Sequence, residues 1–212
     1  TLKVEKKEDY ERFTAVFFNT AKEKKTSDKT LRQALTYAID KRKFPGARAL
    51  GPISPNSWAY NPQVKPYNYD LAKAKDMMKD LSKEALNNLS LNIATTPVLL
   101  TQAEEIAKNW RDLGIAVNVQ VISSVPDDFD AFLAVLDIPQ DPDQYSLWHS
   151  SQEATNISNY KNPRIDKLLE DGRTVTNESE RKKIYLDFQR FLVEDSPAAF
   201  LYHPISYSIS RK

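Results

Sequence analysis

The chain contains no cysteine. That single absence excludes disulfides, Cys-ligated zinc, iron–sulfur clusters and a thiol nucleophile, and it leaves the redox compartment without a signature. Glycine is scarce as well, with 4 in 212 residues against a usual share of about 7%. Gly46, Gly51, Gly114 and Gly172 stand far apart, so no phosphate-cradling loop can be assembled from sequence neighbours. Long apolar runs are missing too. The best, Phe132 to Leu136, falls well short of the roughly 18 residues of a membrane span. Charge of one sign does not dominate either: 30 Lys plus Arg face 29 Asp plus Glu, for a net charge of +1. A nucleic-acid binder would carry a basic excess. No signal peptide opens the chain. Thr1-Leu2-Lys3-Val4 reads instead as the middle of a strand, and the chain is expected to have been cut from something longer.

What is present is enough apolar material for a core, with 41% hydrophobic and 10% aromatic residues. This suits one large domain or two small ones. Leu2 and Val4 alternate with charged residues before a polar turn, and Phe13 to Phe18 reads as a second strand. Helices are marked by apolar stripes and caps. Ser27 or Asp28 caps the first, Asp70 the second, Thr101-Gln102-Ala103-Glu104 forms a capping box for the third, Asn162-Pro163 opens the fourth and Asn177 the fifth. Gly114 is expected to end the third helix and Gly172 the fourth. Strands are expected at Leu89–Ile93, Ile115–Val121, Phe129–Leu136, Phe200–Tyr202 and Tyr207–Ile209. Strand–helix–strand around the third helix is a crossover unit, so the fold class is α/β or α+β. Residues 44–69 interleave Pro45, Pro52, Pro55, Pro62 and Pro66 with Trp58, Tyr60, Tyr67 and Tyr69. Proline at that density forbids helix and central strand, which leaves a long ordered loop.

Four constellations are candidates for chemistry. Asp137-Ile138-Pro139-Gln140-Asp141-Pro142-Asp143 follows an apolar strand, where open sheets bind ligands beyond strand carboxyl ends. Its acids suit a metal site, a general acid–base pair, or a turn whose carboxylates cap the backbone. His149 and His203 have no neighbouring His or Cys, and Ser150 and Ser151 beside His149 lack the strand–elbow–helix context of a nucleophile. Trp58, Tyr60 and Trp148 either stack on a ligand or cover the sheet. Thr95 and Thr96 end a strand with hydroxyls that either meet a ligand or cap the backbone. Aromatic walls, a strand-end carboxylate and hydroxyls describe a binding surface better than an active site. Nothing calls for a cofactor or a metal.

The order of motifs resembles the extracellular solute-binding proteins of family 5, the oligopeptide-, dipeptide- and nickel-binding components of ABC importers. The resemblance rests on Phe18-Asn19-Thr20 followed by Leu31-Arg32-Gln33-Ala34-Leu35-Thr36-Tyr37-Ala38-Ile39-Asp40. It continues through Gly51-Pro52-Ile53-Ser54-Pro55, Tyr67-Asn68-Tyr69-Asp70-Leu71-Ala72-Lys73-Ala74, Trp110-Arg111-Asp112-Leu113-Gly114-Ile115, Asp141-Pro142-Asp143-Gln144-Tyr145 and Tyr160-Lys161-Asn162-Pro163-Arg164-Ile165-Asp166. Each motif is weak alone; in this order they run along nearly the whole chain. The resemblance implies that residues 1–212 form a single lobe, the C-terminal one of a type II periplasmic-binding-protein fold, with a mixed sheet flanked by about five helices.

It also implies a non-enzymatic receptor that closes on a solute or peptide between two lobes and serves an ABC permease. Such a protein would act as a monomer outside the cell, its parent often a lipoprotein. Trp58, Tyr60, Thr95, Thr96, Asp137, Ile138 and Trp148 are the expected ligand contacts. Two departures stand out. The position where peptide-binding relatives place an amine-binding aspartate, three residues before Asp-Pro-Asp, is Ile138 here, and Asp137 should face the opposite side of its strand. The helix usual between Val121 and Phe129 is shortened to a loop. The rival readings are a ligand-sensing or protein-interaction domain of the same fold, and a hydrolase using Asp137, Asp141 or Asp143.

Overall fold

The computed structural model describes residues 2–82, 86–87, 89–124 and 128–211. Its centre is strand β2 (Arg12–Phe18), whose residues beyond Arg12 are all buried. Two further strands, β6 (Ala131–Asp137) and β7 (Ala198–His203), pair with β2 on either side, both antiparallel to it. The sheet extends past β6 through β4 (Ser90–Thr95) and β5 (Ala116–Val121), and past β7 through the short β3 (Ala47–Arg48), in the order β3-β7-β2-β6-β4-β5. Because β4 is parallel to β5 and β6, the carboxyl ends of β4, β5, β6 and β7 share one edge. That edge positions the candidate site.

Alternation along β2 decides which helix covers which face. Phe18 stacks on Trp110 at 6.0 Å, and Trp110 donates its indole N–H to the carbonyl of Leu35. Those partners belong to α3 (Leu100–Arg111) and α1 (Lys29–Ala38). Phe17, one residue earlier, faces the other way and stacks on Trp148 at 5.9 Å, in the one-turn helix α4 (Tyr145–Trp148). Burying a side chain of this size contributes about 1.5–3 kcal/mol over leaving it in water. Three more helices, α2 (Leu71–Met78), α5 (Pro163–Thr174) and α6 (Glu178–Asp195), complete the layers. Caps anticipated from sequence are in place. Asp28 accepts from the amide of Leu31, Asp70 from Lys73, Asn162 from Arg164 and Asn177 from Glu180.

Two expectations are corrected. Thr101 does not cap α3: a 3-10 turn at Pro97–Leu99 feeds the helix directly, Leu99 occupies the cap position, and Thr101 is an exposed first-turn residue. Gly172 does not end α5, which continues to Thr174. A Cβ at Gly172 would sit 2.7 Å from the hydroxyl of Tyr185, so the glycine serves the close approach of α6 instead. The two expected strands joined by a polar turn are present as β1 (Leu2–Glu8) and β2, but β1 lies outside the main sheet. It forms a separate two-stranded ribbon with β8 (Ile205–Arg211). The expected loss of a helix between Val121 and Phe129 rests partly on residues 125–127, outside the described residues.

Candidate functional site

The edge formed by the strand carboxyl ends carries a recess of about 180 Å³ whose lining includes Glu11, Ser54, Asn56, Ser57, Ile138 and Gln140. Ile138 follows the last residue of β6, and its amide donates to the carbonyl of Glu11 at 2.6 Å. Its side chain is buried, and the acid that lines the recess is the exposed Glu11. Asp137 points the other way, as strand alternation requires. It stands opposite Arg12 in the β2–β6 register and accepts from Arg12 Nε at 3.0 Å. The proline-rich segment reaches this edge through tight turns, the amide of Ser57 bonding the carbonyl of Ser54 and that of Tyr60 the carbonyl of Ser57. It therefore supplies most of the polar wall. Ser54, Asn56 and Ser57 were not anticipated individually, because only the turns bring their hydroxyls and amide to Ile138.

Tyr60 is half-buried on the same segment. Burial raises its phenol, while nearby Arg48 pulls it down. Trp58 is also half-buried and meets Tyr185 edge-on at 6.3 Å, with the Arg181 guanidinium 5.7 Å from its ring. At the end of β4, the two threonines part company. Thr95 is fully buried and donates its hydroxyl to the carbonyl of Leu133. Thr96 is half-buried, and its side chain makes no cap bond to the turn that follows. Val98 and Val121 lie exposed beside it on the edge. Trp148 is not on the surface: it is fully buried among Phe17, Tyr160 and Phe200. The structure thus brings Ile138 to the edge, leaves Tyr60 half-buried on the proline-rich segment and Thr96 half-buried at the end of β4, pairs Asp137 with Arg12, and commits Thr95 and Trp148 to the interior.

The other acids of the segment tie helices together. Asp141 accepts two bonds from Arg181 at 2.6 and 2.7 Å, and this pairing holds its carboxyl below the ordinary aspartate range. Asp143 accepts from the amide of Tyr145 and from Arg173 Nε at 2.8 Å. The amide of Asp143 bonds Asp141 in turn. This is the turn reading, carried out with two arginines from α5 and α6. A carboxyl held ionised by arginine cannot donate a proton at neutral pH. No group of three His, Cys, Asp or Glu side chains suited to a metal occurs among the described residues. His149 takes both the amide and the hydroxyl of Ser151 at Nδ1, at 3.1 and 2.8 Å, and stacks on Tyr145. That is a local turn under an aromatic ring. His203 is buried at the end of β7, with Nδ1 2.7 Å from the carbonyl of Arg12.

Residues 1–156 match the family described as "Bacterial extracellular solute-binding proteins, family 5 Middle". The chain belongs to this family. It is 30% identical over 210 residues to the oligopeptide-binding protein AppA of Bacillus subtilis, a match covering 84% of this chain and 39% of AppA. It is 24% identical over 215 residues to the dipeptide-binding protein of Escherichia coli, covering 89% of this chain and 40% of that protein. The chain therefore spans about two-fifths of the length of these relatives. Among solved structures, AppA from B. subtilis in complex with a nonapeptide superposes with a TM-score of 0.87 at 26% identity, covering 98% of this chain and 47% of AppA. NikZ from Campylobacter jejuni in complex with Ni(L-His) gives 0.84 at 26% identity over 98% of this chain and 48% of NikZ. The mixed sheet and its helices thus have the architecture of about half of a periplasmic binding protein. No helix among the described residues is long and apolar enough to cross a membrane.

Proposed function

We propose that this family-5 chain is the C-terminal lobe of a two-lobed, peptide-type solute receptor that delivers its cargo to an ABC permease. The whole protein works outside the cell, as a monomer held to the membrane by a lipid anchor. It captures without chemistry, since no group on the binding edge is asked to make or break a bond. The observation that carries the reading is the superposition on the nonapeptide complex of AppA over 98% of this chain. The edge geometry supports it. A recess over Ile138 with the polar wall of Ser54, Asn56 and Ser57 offers half of an enclosed site, and the half-buried Tyr60 and Thr96 are assigned to the surface around it. Val98 and Val121 supply exposed apolar surface that a facing lobe or a solute would cover. Trp58 contributes where it borders Ser57.

Ile138 carries a specificity consequence. An apolar side chain at this position offers a charged amine no partner, and an uncompensated buried charge costs several kcal/mol; the acid that lines the recess, Glu11, is exposed to solvent. Asp137 is no substitute, because it faces away and is paired with Arg12. A free α-amino group therefore gains little here. The lobe alone offers half of the enclosure, so it should hold peptides no tighter than millimolar, about −4 kcal/mol. Calorimetry on the full-length gene product, with peptides and their N-acetylated forms, tests both statements. Submicromolar binding with little penalty for acetylation is expected. Absence of binding to any peptide of a mixed library would remove the receptor reading. Strong preference for the free amine would overturn the role given to Ile138 and leave the receptor standing.

A further inference from the structure

The same edge holds a second recess, of about 440 Å³, lined by Lys41, Arg42, Phe44, Arg48, Tyr69 and Tyr202 among others. Its place follows from topology. After β2, helix α1 returns the chain to the carboxyl edge, and β3 starts there because Ala47 pairs with His203, the last residue of β7. Gly46 makes the approach possible. Its φ is +96°, and a Cβ would lie 2.0 Å from the His203 carbonyl oxygen. Three strand spacings separate β3 from β6, so this recess lies about 14 Å along the edge from the one over Ile138.

Its lining carries three cations and no carboxylate. Lys41 is buried, and its ammonium donates to the backbone carbonyls of Thr36 and Tyr67. Arg48 donates to the carbonyl of Leu201 at 2.8 Å and to that of Pro66 at 3.0 Å. Among the described residues, neither cation bonds an acid. The nearest carboxylate, Asp40, is claimed by Arg42 through bonds of 2.8 and 2.9 Å. Carbonyl dipoles satisfy the N–H groups but leave the net charge uncompensated, which is expensive away from water. The strain shows in the titration of both groups. Burial pulls Arg48 down to about 10, and burial together with the charge of Arg48 takes Lys41 well below the ordinary lysine range. An anion settled beside them offsets both effects. The remaining wall is flat and apolar: Phe44 stacks on Tyr202 at 5.8 Å with 11° between the rings. The volume exceeds what a bare ion needs and suits a small molecule.

We propose that this recess binds an oxyanion, a carboxylate or a phosphate, borne on a flat apolar body, and that it receives the charged end of the captured solute. Only the second half rests on the receptor reading, and titration of this chain tests the first half without it. Amide resonances of the 15N-labelled chain would be followed at constant ionic strength while benzoate, inorganic phosphate or neutral benzamide is added. Saturable shifts at residues 41–48 and 68–69 are expected with an oxyanion, and at least tenfold weaker ones with benzamide. The tighter of benzoate and phosphate identifies the anion class. Arg42→Gln should weaken the binding severalfold, and Lys41→Met should abolish it with the circular dichroism spectrum unchanged. Arg42 is exposed, so its variant remains informative if Lys41→Met fails to fold. No localised shifts with either anion, equal shifts with benzamide, or unchanged affinity in Arg42→Gln would overturn the proposal. Failure of the full-length product to capture any solute, with anion shifts intact, would instead remove only the assignment to the solute.

Discussion

Arg12 and Asp137 face each other across the β2–β6 ladder, guanidinium Nε to carboxylate at 3.0 Å, while the next residue, Ile138, turns its side chain inward. One register position thus separates a paired, exposed acid from an unpaired apolar wall. Because the pair is largely solvated, Asp137→Asn should change the unfolding free energy by only about 0–1 kcal/mol. It should also leave peptide affinity of the full-length product within threefold. Urea unfolding and calorimetry check the two halves, and a tenfold loss of affinity would return Asp137 to the contact set.

Helix α1 depends on a local cap. The Asp28 carboxylate accepts from the Leu31 amide at 3.0 Å, so Asp28→Ala should cost about 0.5–2 kcal/mol. Thr101→Ala should stay within about 0.5 kcal/mol of the parent, because Thr101 is exposed and caps nothing. Chemical denaturation of the two variants side by side separates the cases.

Gly172→Ala should destabilise the chain even though alanine is the better helix former. The new methyl would lie 2.7 Å from the Tyr185 hydroxyl, and Tyr185 is fully buried with Arg181 bonded to that hydroxyl. Overpacking of this kind costs typically about 1–3 kcal/mol, outweighing the roughly 1 kcal/mol of helix propensity regained. A higher melting temperature would contradict the close approach of α5 and α6.

His203 makes stability pH-dependent. A carbonyl only accepts, so the Nδ1 that meets Arg12 O at 2.7 Å carries the proton. Burial, the leading cause, lowers the pKa below the usual 6.5, opposed in part by that hydrogen bond. Between the folded and unfolded values the unfolded chain binds more protons, so stability rises with pH. The contribution is fully present above about 6.5 and is lost as pH falls toward the folded value. Denaturation midpoints at pH 7.5 and 5.0 should therefore converge in His203→Asn more than in the parent.

The elements with local causes were legible in the sequence. Apolar stripes located the helices, and Asp28, Asp70, Asn162 and Asn177 cap them because a side-chain oxygen reaches an amide two or three residues on. The crossover β4–α3–β5 and the strands of the sheet follow from alternation, which is also local. What a residue meets across the fold was not. Trp58 and Trp148 look alike in sequence, yet one remains half-exposed and the other disappears beneath Phe17. The pairing of Asp137 with Arg12, of Asp141 with Arg181 and of Gly172 with Tyr185 joins segments whose spacing carries no period. Lys41 and Arg48 carry no sequence signal that marks them for burial. Only the docking of β3 on β7, with the Tyr67 loop laid across it, took them out of water and left their charges without an acid. Local sequence selects backbone conformation because those forces act within a turn or two. Burial and charge compensation depend on which distant segments close over a side chain, and packing of the whole sheet decides that.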